Sequence, residues 1–187
     1  MPFDVLFVCT GNICRSPMAE RLFLARVAAD APVRAGSAGT SGLVGHAMDR
    51  PSALVLRELG ADGDRHQARR LTASMAESAH LVLTAESDHR AAVLRLAPMA
   101  FRRTFTLREF ARLGASSAAS APSPTADDLR VRVGEIAGLR GFTPPVAPGA
   151  DEIGDPFGAP TDVVRRVGAQ ISEAVDAAIL ALGLGAR

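Results

Sequence analysis

The chain has 187 residues, of which 48% are hydrophobic and 22% are charged, and its formal net charge is +1 at pH 7. A chain of this length predicts a single domain, residues 1–187, with a core large enough to fold unaided. The near-zero net charge argues against a strongly basic nucleic-acid binder, so any anion that this protein binds must be held by local geometry.

Cys9 and Cys14 are the two cysteines, and there are four histidines. Two cysteines are too few for a disulfide-stapled secreted protein, and the Cys and His spacing matches no zinc site. The first residues, MPFDVLFV, lack the basic region of a signal peptide, and no window is apolar enough to span a membrane. We therefore expect a cytoplasmic protein with no metal, no cofactor and no membrane insertion.

Short apolar runs alternate with segments of helical periodicity in the first part of the chain. Strands are predicted at residues 3–8, 33–37, 81–84 and 101–106. Helices are predicted from Ser16, with Ser16 as N-cap and Pro17 in the first turn, and at 51–59, 72–79, 86–97 and 107–113. This alternation predicts an α/β fold, a three-layer domain with a four-stranded parallel sheet flanked by helices.

The composition changes in the second part of the chain, where residues 114–150 are rich in Ala, Ser, Pro and Gly. Residues 114–124, GASSAASAPSP, are of low complexity and predict a flexible linker. Residues 125–139 have helical character, 141–154 predict a loop, and a long final helix is predicted with Thr161 as its cap.

Ligands of such a sheet bind beyond the carboxyl ends of the strands, and Cys9 lies at that end of the first predicted strand. Residues 9–16 then form the loop into the first helix. Successive N–H groups there can curl into a nest for an anion, and the helix N-terminus adds donors and a positive dipole end. Gly11 permits a tight turn, Asn12 tolerates left-handed backbone, and Arg15 offers a planar fork to two phosphate oxygens.

The donors that would bind an anion in this loop would also stabilise the thiolate of Cys9. A thiolate beneath a phosphorus atom is a nucleophile in line for attack, so the segment predicts a phosphate-cleaving site. Cys14 is close enough to trap an oxidised Cys9 as a disulfide. The alternative, a core thiol at Cys9 and a surface charge at Arg15, suits a lone cysteine better than C-x5-R-S-P between a strand and a helix.

The stretch VCTGNICRSPMAE, residues 8–20, resembles the signature of the low-molecular-weight protein tyrosine phosphatases. The resemblance implies a flavodoxin-like fold and a phosphocysteine mechanism, with Cys9 as nucleophile and Arg15 as phosphate clamp. It also implies that Ser16 hydrogen-bonds the thiolate and that Asn12 holds the loop in shape. The implied phosphate-binding residues are Thr10, Gly11, Asn12, Ile13, Cys14, Arg15 and Ser16.

Two further stretches resemble the same family. SAGT, residues 37–40, resembles a segment in which Ser37 supports the phosphate loop. HQARRLT, which begins at His66, resembles the family's H-x-x-R-x-L segment, in which His66 would bond Asn12. Without the resemblance, a histidine in such a loop is equally well explained as a solvated side chain.

The leaving phenolate needs a proton, and in this family an Asp immediately before Pro supplies it from a loop near the C-terminus. The stretch EIGDPFGAP, residues 152–160, contains Asp155-Pro156 just before the final predicted helix. Asp155 would act as general acid for ester cleavage and then as base for hydrolysis of the phosphocysteine. Asp151 and Glu152 are rival carboxylates without the Pro, and Asp-Pro is also common as a plain turn.

The sequence departs from the family in two places. Residues 114–150 have no recognised counterpart, and we interpret them as an atypical insertion in a single phosphatase domain. Leu43 stands where relatives often carry an aromatic residue, and Phe157 stands where they often carry Tyr. Leu43 thereby removes one stacking surface for a phenol ring, worth about 0.5–1.5 kcal/mol, and Phe157 has to provide the other. Ile13 favours phosphotyrosine, because relatives acting on phosphoarginine tend to carry a smaller, polar residue there.

The combined pattern predicts an enzyme, a protein tyrosine phosphatase whose partner is a tyrosine-phosphorylated protein and whose product is inorganic phosphate. Two alternatives stay open. Thioredoxin-linked arsenate reductases pass oxidation along three cysteines and this chain has two, but a reductase that uses an external small thiol would need only Cys9. A non-catalytic phosphate-binding adaptor would suit the altered pocket wall and the segment 114–150.

Overall fold

A parallel sheet forms around the N-terminal strand. The computed structural model describes residues 1–116 and 124–185. The strands are β1, Phe3–Cys9; β2, Val33–Gly39; β3, Leu81–Thr84; and β4, Thr104–Thr106. Their order across the sheet is β2-β1-β3-β4, and every neighbouring pair is parallel. The predicted α/β fold with a four-stranded parallel sheet is confirmed.

Helices follow each strand. Their bounds are α1, Arg15–Arg26; α2, Arg50–Glu58; α3, Ala73–Ser78; α4, Ser87–Leu96; α5, Leu107–Ala115; α6, Ala126–Gly138; and α7, Thr161–Ala181. Short 3₁₀ helices lie at Pro98–Arg103 and Leu139–Gly141. None of the helices within the described ranges combines the length and apolar character that a membrane crossing needs.

Side chains of β1 alternate between two hydrophobic layers, as the two-residue period of a strand requires. Phe3, Val5 and Phe7 belong to the larger layer, to which α1, α5 and α7 also contribute. Leu6 and Val8 belong to the smaller layer, which α3 and α4 complete. Helices therefore cover both faces of the sheet, which gives the three layers that the sequence predicts.

The segment 114–150 contributes a helix to the larger hydrophobic layer. The linker prediction fails for its first residues, since α5 continues through Ala115, and residues 117–123 lie outside the described residues. The predicted helix is confirmed as α6, which buries Leu129, Val133 and Ile136. The loop prediction is also confirmed, because residues 142–150 form a largely exposed irregular segment that leads back to the sheet.

Three predicted element starts are wrong. Helix α1 begins at Arg15 and its N-cap is Cys14 rather than Ser16, because the backbone becomes helical one residue before the serine. Strand β4 begins at Thr104, since Pro98 sets the backbone for a 3₁₀ turn in the preceding residues. Helix α7 begins at Thr161 itself, and its N-cap is the preceding proline.

Candidate active site

The chain between β1 and α1 forms a loop whose carbonyl groups face outward. The carbonyls of Cys9, Thr10, Gly11, Asn12 and Ile13 accept hydrogen bonds from Thr40 N, Ser41 N, Leu43 N, His66 Nε2 and Asp49 N, in that order. In a trans peptide the next N–H points away from the carbonyl, so the N–H groups of residues 10–14 face the inside of the loop. This orientation, beside the N-terminus of α1, is the one that the predicted anion nest requires.

Asn12 holds this loop in shape. Its φ of 56° places it in the left-handed region that asparagine tolerates better than most residues. Its side-chain Nδ2 donates to Ser16 Oγ at 2.9 Å and to Ser37 Oγ at 2.8 Å, and its Oδ1 accepts from Arg69 N at 2.9 Å. His66, which was expected to bond Asn12, contacts its carbonyl oxygen at 2.6 Å, and Ser37, which was expected to support the phosphate loop, does so through the bond from Asn12 Nδ2.

Cys9 lies at the end of β1 with 2% of its surface exposed, and its Sγ is 3.0 Å from Ser16 Oγ. Asn12 already donates to that hydroxyl oxygen, so the hydroxyl proton is available to Cys9. A thiolate in this position can accept a hydrogen bond from Ser16, which lies in the first turn of α1.

Cys14 is a second free thiol in the same loop, and it too is buried. Burial raises its pKa to about 12, because desolvation penalises the thiolate. At neutral pH the Cys14 thiol is therefore protonated and a poor nucleophile. Ile13 and Cys14 pack against Ala68, and both also line the cleft above the loop.

Arg15 is the first residue of α1 and is 3% exposed. Its Nη1 donates to Glu86 Oε2 at 2.8 Å and to Ile153 O at 2.9 Å, and its Nη2 lies 3.4 Å from Thr10 Oγ1. The carboxylate and the carbonyl fix the guanidinium plane at the edge of the loop, which suits a fork that binds two oxygens of a phosphate.

Asp155 lies on the loop before α7 and closes the site. Its Oδ2 is 3.1 Å from Arg15 Nη2, its Oδ1 accepts from Phe157 N at 3.3 Å, and its side chain is 49% exposed. The rival carboxylates face elsewhere, since Asp151 is held by Arg112 and Glu152 by Ser87. The geometry thus brings one of the three candidate acids to the site.

A cleft of about 190 Å³ opens above the loop. Its lining includes Cys9, Thr10, Gly11, Ile13, Cys14, Arg15, Ser41, Leu43, Asp155 and Phe157. Leu43 is 42% exposed and Phe157 is 62% exposed, so the two predicted wall residues form open walls rather than a closed tunnel. Within residues 1–116 and 124–185, no three His, Cys, Asp or Glu side chains are grouped closely enough to hold a metal ion.

Glu86 and His89 belong to the site, and sequence reasoning missed both. They lie just beyond β3, where Glu86 pairs with Arg15 and the Nε2 of His89 contacts Thr10 Oγ1 at 2.8 Å. Glu86 N–H donates to His89 Nδ1, so the neutral ring carries its proton on Nε2 and donates it to Thr10. Burial, followed by the charge of Arg15, lowers the pKa of His89 below its usual value and favours this neutral form.

Glu20 and Arg69 also support the loop from outside and were also missed. Ser37 Oγ donates to Glu20 Oε2 at 2.6 Å, and Arg69 Nε donates to Ser37 O at 2.6 Å. Together these bonds fix Ser37 beneath Asn12. Both residues lie in the stretches that resemble the family, Glu20 at the end of VCTGNICRSPMAE and Arg69 as the R of H-x-x-R-x-L, but neither was given a role, because charged residues are ordinary on a surface.

A sequence model of the family described as low molecular weight phosphotyrosine protein phosphatase matches residues 4–129, well over half of the chain. The low molecular weight protein-tyrosine-phosphatase Etp of Escherichia coli K12 is 46% identical over 95 residues, which are 51% of this chain and 62% of that protein. The chain thus spans less than two thirds of that relative. A protein-arginine-phosphatase of Geobacillus stearothermophilus is 28% identical over 94% of this chain and 93% of its own length.

Solved structures extend the likeness along nearly the whole chain. The tyrosine phosphatase AmsI of Erwinia amylovora superposes with a TM-score of 0.70 at 26% identity, covering 96% of this chain and 92% of that one. The sequence match to the family also includes the loop that carries Cys9 and Arg15. The chain therefore belongs to the low molecular weight phosphotyrosine protein phosphatase family.

Proposed function

We propose that this protein is a tyrosine phosphatase that hydrolyses aryl phosphate monoesters through a phosphocysteine intermediate. One observation carries the proposal: Cys9, Arg15 and Asp155 line the same cleft. They are a nucleophile, an anion clamp and a proton donor, the parts that covalent cleavage of a phosphate ester needs. Family membership supports it, since the relatives from Escherichia and Erwinia are named tyrosine phosphatases.

In the first step the Cys9 thiolate attacks phosphorus while the phosphoryl oxygens lie against the loop N–H groups and Arg15. The S–P bond forms as the bond from phosphorus to the aryl oxygen breaks, and that oxygen leaves with the electron pair. The Asp155 carboxyl gives it a proton, so a neutral phenol departs. The donors are already oriented, and they stabilise charge on the equatorial oxygens without reorganisation.

In the second step a water molecule attacks the phosphocysteine. The Asp155 carboxylate takes a proton from this water, the new O–P bond forms, and the P–S bond breaks. Cys9 leaves as a thiolate that the Ser16 hydroxyl stabilises at 3.0 Å. Inorganic phosphate is released, and the carboxyl is again in its acid form for the next cycle.

The proposed partner is a tyrosine-phosphorylated protein. The open walls at Leu43 and Phe157 support this, because a protein surface can approach a side chain that enters the cleft. Phosphoarginine is the second candidate, since a relative matched over 94% of this chain is named a protein-arginine-phosphatase. Ile13 lines the cleft and offers carbon rather than a polar group, which favours the phenol ring.

The direct test is hydrolysis of para-nitrophenyl phosphate, with EDTA present to check that no metal is needed. We expect turnover by the wild type, none by Cys9→Ser, and slowing by on the order of 10² for Asp155→Asn. Parallel assays with a phosphotyrosine peptide and a phosphoarginine peptide then distinguish the two substrates.

Two other outcomes would redirect the assignment. Arsenate turnover with an added small thiol, in a protein inert toward all phosphate esters, would favour a reductase. Phosphate binding without any turnover would favour an adaptor.

Three further features belong to this proposal. The chain works as one phosphatase domain, with residues 114–150 as an insertion whose helix α6 packs in the larger hydrophobic layer. The enzyme requires no metal and no cofactor. It acts in the cytoplasm, where a reducing environment keeps the nucleophile Cys9 as a thiol.

A further inference from the structure

Asp151 is clamped to helix α5 four residues before the proposed acid. Arg112 donates to both of its carboxylate oxygens, from Nε to Oδ1 at 3.1 Å and from Nη2 to Oδ2 at 2.6 Å. Both side chains are partly buried, with 20% of the surface of Asp151 and 32% of that of Arg112 exposed. A bidentate salt bridge fixes both the distance and the orientation of its two groups. It therefore sets where the acid loop, the segment that carries Asp155, begins.

The next two residues are held as well. The Glu152 carbonyl accepts from Arg108 Nη1 at 3.3 Å, and its carboxylate accepts from Ser87 Oγ. The Ile153 N–H donates to Ala85 O at 2.9 Å, just beyond β3. Each of these three residues is thus held by a neighbouring element, and we call residues 151–153 the root of the loop that carries Asp155.

Asp155 itself is held by fewer contacts. It is half exposed, and apart from Arg15 its carboxylate contacts only the N–H of Phe157 among the described residues. Glycines flank it at 154 and 158, and Gly158 has a φ of 74°. Its position in the cleft therefore follows from the bond to Arg15, from the buried neighbour Pro156 and from where the root is anchored.

Helix α5 is a rigid support for that anchor. Thr106 and Glu109 form a capping box at its start, and Phe110 is buried with its ring 5.1 Å from that of Phe105, edge to face. Arg112 lies in the last half of this helix, and its side chain reaches out to the root. Because α5 is tightly packed, it cannot move together with residues 151–153, so a shift of these residues has to break the bond between Arg112 and Asp151.

We propose that Arg112, through Asp151, is a positioning residue that holds Asp155 at the height where it can protonate the leaving oxygen. The inference rests on the proposed phosphatase function. It also gives Asp151 a role: this carboxylate is the anchor of the acid loop and not a competing acid. Arg112 touches neither substrate nor reacting atoms. Its substitution should therefore slow only those reactions whose leaving group has to be protonated.

The test compares kcat/KM for phenyl phosphate with kcat/KM for 2,4-dinitrophenyl phosphate. The ratio kcat/KM reports the first step, and the dinitrophenolate leaves without a proton, whereas phenolate needs one. For Arg112→Ala we expect a loss of about 10-fold or more on phenyl phosphate, because small misplacements of a catalytic group are costly. On the dinitrophenyl ester we expect less than about 2-fold change.

Two combinations separate positioning from general damage. In an Asp155→Asn background, Arg112→Ala should cause no further loss on phenyl phosphate, because the group that it positions is absent. The charge-swapped pair Arg112→Asp with Asp151→Arg should recover part of the lost rate. Arg165→Ala is the matched control, since it removes an equally bidentate but exposed bond, to Glu58 of α2, with both distances 2.9 Å.

Equal losses on both esters, or a full further loss in the Asp155→Asn background, would overturn the proposal in favour of a merely structural role. Unchanged rates on both esters for Arg112→Ala would also overturn it. If the wild type cleaves neither ester, the phosphatase assignment itself fails and the proposal falls with it. A wild type that is active while Arg112→Ala behaves like Arg165→Ala rejects only the positioning role.

Discussion

Ser16 Oγ lies 3.0 Å from Cys9 Sγ and receives a hydrogen bond from Asn12 at 2.9 Å. The serine is therefore oriented as a donor to the thiolate, and the alternative acceptor, Ala38 O, is farther away at 3.5 Å. Ser16 lies within the first turn of α1, whose N-cap is Cys14, and among the described residues no side chain caps this helix end. The first N–H groups of the helix are therefore available to an anion.

The Ser16→Ala variant should slow the release of Cys9 from the proposed phosphocysteine. Loss of one hydrogen bond to a charged group costs about 1.5–3 kcal/mol, which corresponds to about 10- to 100-fold in the rate of that step. The measurement is the time course of para-nitrophenol release, in which slow hydrolysis of the intermediate appears as a burst before the steady state. We expect a larger burst and a lower steady-state rate for Ser16→Ala, because the leaving sulfur has lost a donor. Ser78→Ala removes an exposed serine and is the control; an unchanged steady-state rate in Ser16→Ala would show that Ser16 does not assist the leaving sulfur.

Cys14 should make the folded state less stable in alkaline solution. Burial raises its pKa from 9.0 to about 12, so between these values the unfolded chain loses the thiol proton and the folded chain keeps it. The free energy of unfolding therefore falls as pH rises through this window, by at most about 1.4 kcal/mol per pH unit. The chain has no Tyr and no Lys, so few other groups titrate there.

Urea unfolding at several pH values between about 8 and about 11 measures this slope. We expect the Cys14→Ala variant to lose most of it while showing lower stability at about pH 8, where the thiol is protonated in both states, because a buried sulfur has been removed. The slope is the informative quantity, since a cavity alone lowers stability equally at all pH values. A slope that is the same in wild type and Cys14→Ala would contradict the prediction.

The loop of residues 9–16 was predictable from sequence because its shape depends on residues that are close together in the chain. Cys9, Asn12, Arg15 and Ser16 are close in the chain, so a strand, a turn and a helix start were enough to place a thiol beneath an anion nest. Asp155 was found differently, through family resemblance, since nothing local distinguishes it from Asp151. The structure distinguishes them by contact: Arg112 holds Asp151, while Asp155 meets Arg15.

Residues that reach the site from a neighbouring strand were not predictable in this way. Glu86 and His89 follow the apolar run of β3, and they meet Arg15 and Thr10 only because β3 lies beside β1 in the sheet. Strand order is a tertiary property, and the sequence offered alternation of elements but no order. Their position in the chain was the signal that could have been used. Polar residues directly after a buried parallel strand tend to lie at the edge of the sheet where ligands bind, beyond the carboxyl ends of the strands.

His89 should make the folded state sensitive to mild acid. Its pKa is lowered by burial and then by Arg15, so below the usual value the unfolded chain takes up a proton that the folded chain resists. The free energy of unfolding therefore falls as pH drops from about 7 toward about 5. The Tm of His89→Gln should fall less over this range than the Tm of the wild type.

His80 needs a separate variant in this experiment, because burial lowers its pKa as well. His80→Gln should remove its own share of the acid sensitivity and leave phosphate hydrolysis unchanged, since it lies at the opposite end of the sheet, where its Nδ1 accepts from Asp4 N. His89→Gln should also weaken turnover, because Thr10 loses a partner at 2.8 Å. Equal acid sensitivity in wild type and His89→Gln would count against the role assigned to His89.

Gly39 should tolerate no side chain, because the phosphate loop rests directly on it. A Cβ at this position would overlap Thr10 O and would lie 2.8 Å from Gly42 Cα and 3.0 Å from Asn12 N. All of these neighbours are backbone atoms, so relief requires a shift of the loop itself. For Gly39→Ala we expect a loss of kcat/KM of at least about 10-fold together with a loss of stability of about 1–3 kcal/mol.

Gly134 is the matched control: it lies within α6, and a Cβ there would have no heavy atom within 4 Å. Gly134→Ala should keep full activity and raise stability by about 0.4–1 kcal/mol. Phosphate hydrolysis and urea unfolding of both variants test this contrast, and an active, stable Gly39→Ala would mean that the loop can be held without this close approach.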